Sequence, residues 1–580
     1  MLPVIPIVLL LLGAGVACSP SDHRDGFAAG EGGGGDAGVS DGNVHEAEGF
    51  HQADTGPADI ELASEVPEAA QNVDDSRQLR AVSAGPAVGR RLTREEYFNS
   101  VEVALGVELD PRAHAIPLDP RVPGGFRNSA PDMLLTADHT VGYDMASEVV
   151  SALIDGAELT GTHAPCLLAR DECTLPFVHS LAPRVLRRPI GDAEARAYAR
   201  LIELAIAEAE DFEAGARLVV RAMLQSPRFI YRLEYQSPVE DGEGTLRAVD
   251  DYELATRLSF LVWNAGPDTR LLELAARSEL RANLQAEFER LYGHWRARRA
   301  LRQYVEQWLH LGSIPEALML ADAYREETFR LFEWVVFERE ADLLEVLTAQ
   351  RTTVERPLAE FYGLGPLTDG FASYDLSGHP ERVGFLSHAG VILAHTVNPS
   401  TSMIDRGLFM LQDLLCGAVA QPEGEALRAA IEQGAVDEQS GLSQRERFAA
   451  QREDPLCAGC HGLFDPLGEP FEIFGALGEH ITEDVYGNAM TAAGAIDGAG
   501  LSGQFDDFAG FARLLADSEV VARCVVGKSL QHAYGRALGA AEQDLLARAY
   551  GDFEASGRRY RELLLAIALQ PSFAQVEVAP

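Results

Sequence analysis

Cys457, Cys460 and His461 stand in the run C-A-G-C-H, which places two thiols and an imidazole within one helical turn. Thiols at that spacing can form thioethers with the two vinyl groups of a porphyrin, and a histidine directly after the second cysteine is placed to ligate iron from the proximal side. The pattern predicts covalent haem c, with Cys457 and Cys460 as the thioether residues and His461 as the proximal ligand. Two other chemistries use paired cysteines. A structural zinc site needs a second pair of ligands nearby, and a thioredoxin-like redox pair needs a βαβ setting. The flanking sequence offers neither context.

The sixth iron ligand separates electron transfer from chemistry at an open iron. Met490, in the turn-rich Y-G-N-A-M downstream, is one distal candidate. His395, which precedes Asn398-Pro399, is another, and His388 lies seven residues before it. Each competes with the plainer reading of a core or surface side chain, and an unligated distal side is a further option. The chain has no G-x-S-x-G, P-loop, H-E-x-x-H or dinucleotide fingerprint, so no second catalytic set stands out.

The elements that must hold this motif belong to a chain of 580 residues with 47% hydrophobic and 24% charged side chains, the composition of several globular domains. Its formal net charge of −41 excludes a nucleic-acid partner, because that binding depends on Lys and Arg neutralising phosphates. Lys528 is the single lysine, so arginine carries nearly all the positive charge.

Residues 1–18 read as a signal peptide. The apolar stretch from Val4 to Ala17 is short for a membrane span and ends in small residues running into Cys18. That junction is similar to the lipidation box of bacterial lipoproteins, with Cys18 as the lipidated residue. Against this, the leader has no Lys or Arg and carries Gly15 where such boxes usually have Leu, so a plain secretory signal is the alternative. Residues 19–84 are rich in Gly, Asp, Ala and Ser without sustained hydrophobic period, which predicts a disordered acidic spacer. The expected location is outside the cytoplasm, periplasmic or at the cell surface as an outer-membrane lipoprotein, with membrane contact only through the anchor.

Order is expected from residue 85. Thr93 and Glu96 form a capping box, Leu92 and Tyr97 a hydrophobic staple, and Tyr97, Val101, Ala104 and Leu105 share one helical face before Gly106 stops it. Asp250 and Glu253 repeat the box ahead of Leu254, Leu258, Leu261 and Val262. Helical patterns fill Arg270 to Leu311 and Ala323 to Leu347, and strand-like alternation is confined to short pieces such as Glu479 to Leu501. The expected fold is mainly α and multi-domain, with a cytochrome c-like haem segment and a short β/turn-rich insert.

An internal repeat supports this reading. Arg187 to Phe229 and Gly535 to Phe573 each contain Asp-Phe-Glu-Ala and close on an apolar helix, a Gln-Ser-Pro or Gln-Pro-Ser stop, and Phe. Each is expected to be a helical hairpin. The expected domains are 85–160 (N-terminal helical), 161–235 (first hairpin repeat), 245–370 (central helical), 380–480 (haem motif) and 481–580 (C-terminal, second repeat).

Cysteine parity fits the same layout. With Cys18 lipidated and Cys457 and Cys460 on haem, four of the 7 cysteines remain, and an even remainder in an oxidising compartment suggests two disulfides. Cys166 and Cys173 are close enough to staple a loop, which leaves Cys416 with Cys524. Buried thiols are the alternative.

The ordered set RRLTREEYFNSV, LRRPIGDAEARAY, VDDYELATRLSFLVWNAGPD with VEQWLHL, RVGFLSHAGVILAHTVNPSTSMIDRGLFMLQDLLC, CAGCHGLFDPLGEPFEIFGALG and CVVGKSLQHAYGRAL resembles the exported multi-domain proteins of planctomycetes and myxobacteria. Those are built from planctomycete-type cytochrome c domains and associated domains of unknown function. The resemblance runs from about Gly85 to the end and implies haem at Cys457, Cys460 and His461. The family stretch after the haem histidine usually reads like H-x-x-M-D-P-L-G-F-A-L-E-x-F-D with an Arg shortly afterwards. This chain keeps Asp465, Pro466, Leu467, Gly468, Glu472 and Phe474, but has Phe464 for the Met, Gly475 for the Asp and no Arg after Gly478. Phe464, Leu467, Phe471 and Phe474 are expected to wall the haem.

Three functions remain open on these residues: a surface or periplasmic lipoprotein passing electrons to an unknown redox partner, a haem enzyme with an open distal iron, and a structural or carbohydrate-binding surface protein with a vestigial haem motif.

Overall fold

The two capping boxes start the helices expected of them. In the computed structural model, Thr93 Oγ1 accepts from the Glu96 amide at 3.1 Å and Glu96 accepts from the Thr93 amide at 2.9 Å, opening helix Arg94–Leu105. Gly106 ends it in the left-handed conformation, φ 70°. Asp250 and Glu253 exchange the same bonds at 2.7 and 2.8 Å ahead of helix Asp251–Trp263. The structure describes residues 89–121, 125–164, 166, 173–208, 211–234, 246–397, 402–419, 441–453 and 457–577. The signal segment, Cys18, the acidic spacer and the Asn398-Pro399 turn lie outside them.

The described chain is mainly α-helical, with four two-stranded antiparallel ribbons. The region from Arg270 to Leu311 forms helices Thr269–Ala276, Leu280–Tyr292 and Trp295–Trp308. In the turn-rich stretch after Glu479, Gly494–Gly498 pairs with Leu501–Phe505.

Both sequence repeats are helical hairpins: Asp192–Ala207 with Phe212–Leu224, and Gln543–Ala555 with Tyr560–Leu569. Their shared Asp-Phe-Glu-Ala is not equivalent, however. Asp211 caps the second helix of its hairpin, accepting from the Ala214 amide at 2.9 Å, whereas Asp552 to Ala555 form the last turn of the first helix in the other copy.

The true equivalence lies in the strand after each hairpin. Tyr231–Arg232 pairs with Arg90–Arg91, and Gln575–Glu577 pairs with Leu246–Ala248, so each hairpin returns a strand to the segment that opens a capping box. Within each ribbon a buried arginine meets the box glutamate: Arg90 to Glu96 at 2.6 Å and Arg247 to Glu253 at 2.8 Å.

A second buried arginine locks each return. Arg187 donates to the carbonyls of Arg228, Phe229 and Tyr231 at 2.8 to 3.0 Å. Arg257 donates to those of Ser572, Phe573 and Gln575 at 2.7 to 3.3 Å. Relative to the closing phenylalanine, the three carbonyls are the same. Such turn carbonyls have no ladder partner, and a guanidinium with five donors can satisfy several at once.

The C-terminal half is tied by a disulfide and a buried ion pair. Both expected disulfides form, Cys166 to Cys173 and Cys416 to Cys524. Near the second, Asp413 Oδ1 sits 2.8 Å from Nζ of Lys528, with both side chains buried.

Two measurements test the clamp and the buried pair. Arg257→Lys keeps the charge but loses the fork that holds the three carbonyls and Glu234 together, so stability in urea should fall by about 3 kcal/mol; a loss within a few tenths would show that neither set of bonds matters. Burial alone would raise the Asp413 carboxyl, but the facing His310 and Lys528 outweigh it and hold it down at about 2. A carboxyl lowered by folding stabilises the native state above its ordinary value of 3.8 and stops doing so as pH falls to about 2. Acid unfolding should therefore steepen between those values, and Asp413→Asn should flatten that part of the curve.

Candidate functional site

Cys457 caps the helix Ala458–Gly468, so Cys460 and His461 fall in its first turn. The amides of Cys460 and His461 both bond back to the Cys457 carbonyl, at 3.1 and 3.0 Å, which closes the turn and sets the three side chains close together. The two disulfides use the other described cysteines, and Cys457 and Cys460 remain as half-buried thiols.

His461 is oriented one turn further along the same helix. Its Nδ1 lies 3.1 and 3.2 Å from the two carboxylate oxygens of Asp465, whose side chain is 0% exposed. A carboxylate on one ring nitrogen fixes the tautomer and makes the other, Nε2, the stronger metal donor. Asp465 is also 3.5 Å from Arg452, which bonds Glu469 at 2.7 Å, so the buried anion has a cation beside it. The ring stacks on Phe448 at a centroid distance of 6.2 Å and meets Phe464 at 4.9 Å.

Helix Ser402–Phe409 positions the motif helix from behind. A Cβ on Gly407 would run into the Phe464 carbonyl, and one on Gly468 into that of Met403, so two glycines set the close crossing. Arg406, from the same helix, donates to the carbonyls of Phe471, Phe474 and Gly475, each at 2.9 Å, and to Thr396 Oγ1 at 2.9 Å. Burial lowers its guanidinium to about 10, so it stays charged at neutral pH.

The four apolar residues expected to wall the haem are all buried. Phe471 and Phe474 pack edge-on against Phe508, with centroids 5.3 and 5.2 Å apart, and so join the protein core. Phe464 also packs against the histidine ring. Where the usual Met is replaced by Phe464, polar support of His461 comes from the retained Asp465.

The distal candidates part company. The strand-like segment containing Met490 is latched to helix Gln444–Glu453, the helix that carries Phe448. Arg445 donates to the carbonyls of Thr491 and Ala493 at 3.1 and 2.9 Å, and Asn488 to that of Gly441 at 3.0 Å. His395 is not brought to the motif. Its Nε2 lies 3.1 Å from the Leu309 carbonyl and its ring stacks on Phe409 at 3.7 Å, beside a cleft on the other face of helix Ser402–Phe409. His388 is buried, with Nδ1 2.9 Å from Thr328 Oγ1.

Five families of proteins of unknown function match successive parts of the chain: DUF1587 over residues 90–155, DUF1595 over 173–234, DUF1592 over 249–364, DUF1588 (PSCyt3) over 382–484 and DUF1585 over 502–573. These are the planctomycete cytochrome c-associated domains of unknown function. The chain belongs to that family. The PSCyt3 match contains Cys457, Cys460, His461, Asp465 and Arg406, so the motif and the residues that orient it fall within one family region. No curated protein and no solved structure matches the chain.

Residue type and spacing alone do not single out Arg406 as a support of the motif. The His461–Asp465 contact has a sequence signal, since residues four apart share a helix face. Arg406 has none, because its partners are carbonyls more than sixty residues downstream.

The glycine crossing gives a direct test. Gly407→Ala should cost about 2 kcal/mol or more in thermal or urea unfolding, because backbone rather than a side-chain tip stands in the way. Gly459→Ala, in the same region with open space at its Cβ, should cost far less; equal losses would refute the close-crossing argument.

Proposed function

We propose that this family member is an exported, lipid-anchored c-type haem protein that passes electrons at the cell envelope. The observation that carries the reading is the single helical turn holding Cys457, Cys460 and His461, with Nδ1 of His461 held by a fully buried carboxylate. That arrangement fits a proximal haem ligand: the thiols are half-buried within one turn, and the ring nitrogen engaged by Asp465 leaves Nε2 for iron. When bound, haem c supplies a one-electron couple.

The chain's own groups would do the rest. Cys457 and Cys460 would fix the porphyrin covalently at the helix start, and His461 would hold the iron from the proximal side. Asp465 would keep the imidazole electron-rich and thereby favour the oxidised state. Phe448 and Phe464 would restrict the ring's rotation and keep water from one side of it. Met490 is retained as the distal candidate because its segment is bonded to the Phe448 helix. Cys18 would bear the lipid and residues 19–84 would give the folded part reach from the membrane.

The test is the full chain produced in a host with haem-attachment machinery, followed by oxidised and reduced absorption spectra and haem staining of the denatured protein. Covalent haem with a six-coordinate, low-spin spectrum is expected, lost when Cys457 and Cys460 are both changed to Ala. Asp465→Asn should retain haem and raise the reduction potential. A high-spin iron that binds added ligands would favour the open-iron enzyme instead, and a chain without covalent haem would overturn both readings.

A further inference from the structure

Across helix Ser402–Phe409 from the haem motif lies a cleft of about 1110 Å³, in the range of small-molecule sites or somewhat above it. One wall is Gln303, Glu306, Gln307 and His310; the other is Asp405, Leu408, Phe409 and Gln412. Each set has the spacing of one helical face.

The floor is a buried polar chain. His310 adopts the left-handed conformation, φ 58°, and its Nε2 faces Asp413 Oδ2 at 3.1 Å, while Asp413 Oδ1 is held by Lys528 at 2.8 Å. The single lysine of the chain is thus spent on the carboxylate behind this histidine. With Nε2 turned to Asp413, Nδ1 is left for a ligand.

The charges of the cleft are unevenly matched. At the rim, Arg94 meets Glu95 at 3.3 Å, and Arg112 meets Asp110 and Glu316 at 3.5 and 3.7 Å. Arg127 is engaged by the Asp119 carbonyl. Arg121 also lines the cleft, yet among the described residues no carboxylate lies within ion-pair distance of it. The acidic group whose charge acts on it, Asp413, is already engaged by Lys528 and His310.

The amides add donors. The side-chain oxygen of Gln303 accepts from Asn99 and Asn264 at 3.0 and 2.9 Å, and that of Gln307 accepts from the Arg127 amide at 3.0 Å. Their NH₂ groups are therefore what they can offer a ligand. Glu306 contributes an acceptor one helical turn before His310.

We propose that this cleft is a second binding site, separate from the haem motif, for a hydroxylated organic carboxylate. Arg121 takes the carboxylate as a planar fork, the NH₂ groups of Gln303 and Gln307 donate to ligand oxygens, and Glu306 and Nδ1 of His310 meet its hydroxyls. The guanidinium fork would take a carboxylate or a phosphate alike; the amide donors and the Glu306 and His310 acceptors along the cleft wall are what favour an extended hydroxy acid over a compact anion.

The test is calorimetric titration of the full chain with gluconate and citrate as probes, and with acetate, glycerol and inorganic phosphate for comparison. Saturable binding of at least one hydroxy-carboxylate is expected, tighter than acetate, glycerol or phosphate. Arg121→Gln should weaken it by about ten-fold or more with unchanged melting temperature. His310→Asn, chosen because Asn tolerates the left-handed conformation, should weaken it too. Binding should persist in the Cys457→Ala, Cys460→Ala double variant, which keeps the result independent of haem. Absence of saturable binding by both hydroxy-carboxylates, equal affinity in Arg121→Gln, or phosphate binding as tightly would each overturn the proposal.

Discussion

The architecture depends on buried guanidinium groups seated on backbone carbonyls. Arg187 and Arg257 close the two hairpin returns, Arg406 gathers the carbonyls after the haem-motif helix, and Arg382 joins Ser387 to Gly478 at 2.7 and 2.6 Å. Each joins segments that leave a helix or a turn, where carbonyls lack an intrahelical partner. Removing a guanidinium from water is costly, and burial pulls Arg187 and Arg406 down to about 10. Several charge-assisted bonds per group offset that cost. A lysine, with one compact ammonium, could not bridge three carbonyls spread over four residues. This gives a physical reason for a chain so rich in arginine and so poor in lysine to keep its cations inside.

The haem-motif helix inherits its position from this device. Arg406 fixes residues 471 to 475, and the same short helix presents Gly407 to Phe464. Between these two restraints helix Ala458–Gly468 has little freedom to shift, and Asp465 is carried to full burial beneath His461. The aromatic residues after the motif are consumed in this framework, packed on Phe508 and Phe511. Phe448, from helix Gln444–Glu453, supplies a further ring contact to His461 from outside this framework.

Local grammar is legible in the residues. Both capping boxes, the glycine stop at Gly106, the helical hairpins and both disulfides follow from short-range spacing or from parity. Long-range polar partnerships are not. Asp413, His310 and Lys528 are individually unremarkable side chains far apart in the chain, and only the fold brings them together. The Asp-Phe-Glu-Ala match shows the opposite failure: four identical residues suggest a register that the structure does not use, because Asp211 is recruited as a cap and Asp552 is not. What the two hairpins share is an arginine acting on three carbonyls, and that pattern has no sequence signature since the arginines lie at different distances from the hairpins they clamp.

Helix Ser402–Phe409 therefore carries two unlike environments on opposite faces. Toward the motif helix it offers Gly407 and Met403, where any added atom meets backbone; toward the cleft it offers Asp405, Leu408 and Phe409, with His395 stacked on the last. His395 lies on the cleft side of this helix, with the helix between it and the motif. Its Nε2 is already bonded to the Leu309 carbonyl, and burial drives its imidazole well below the ordinary range, so it stays neutral beside His310. The two faces thus carry different chemistry, and Arg406 links them by bonding both Thr396, next to His395, and the carbonyls that follow the motif helix.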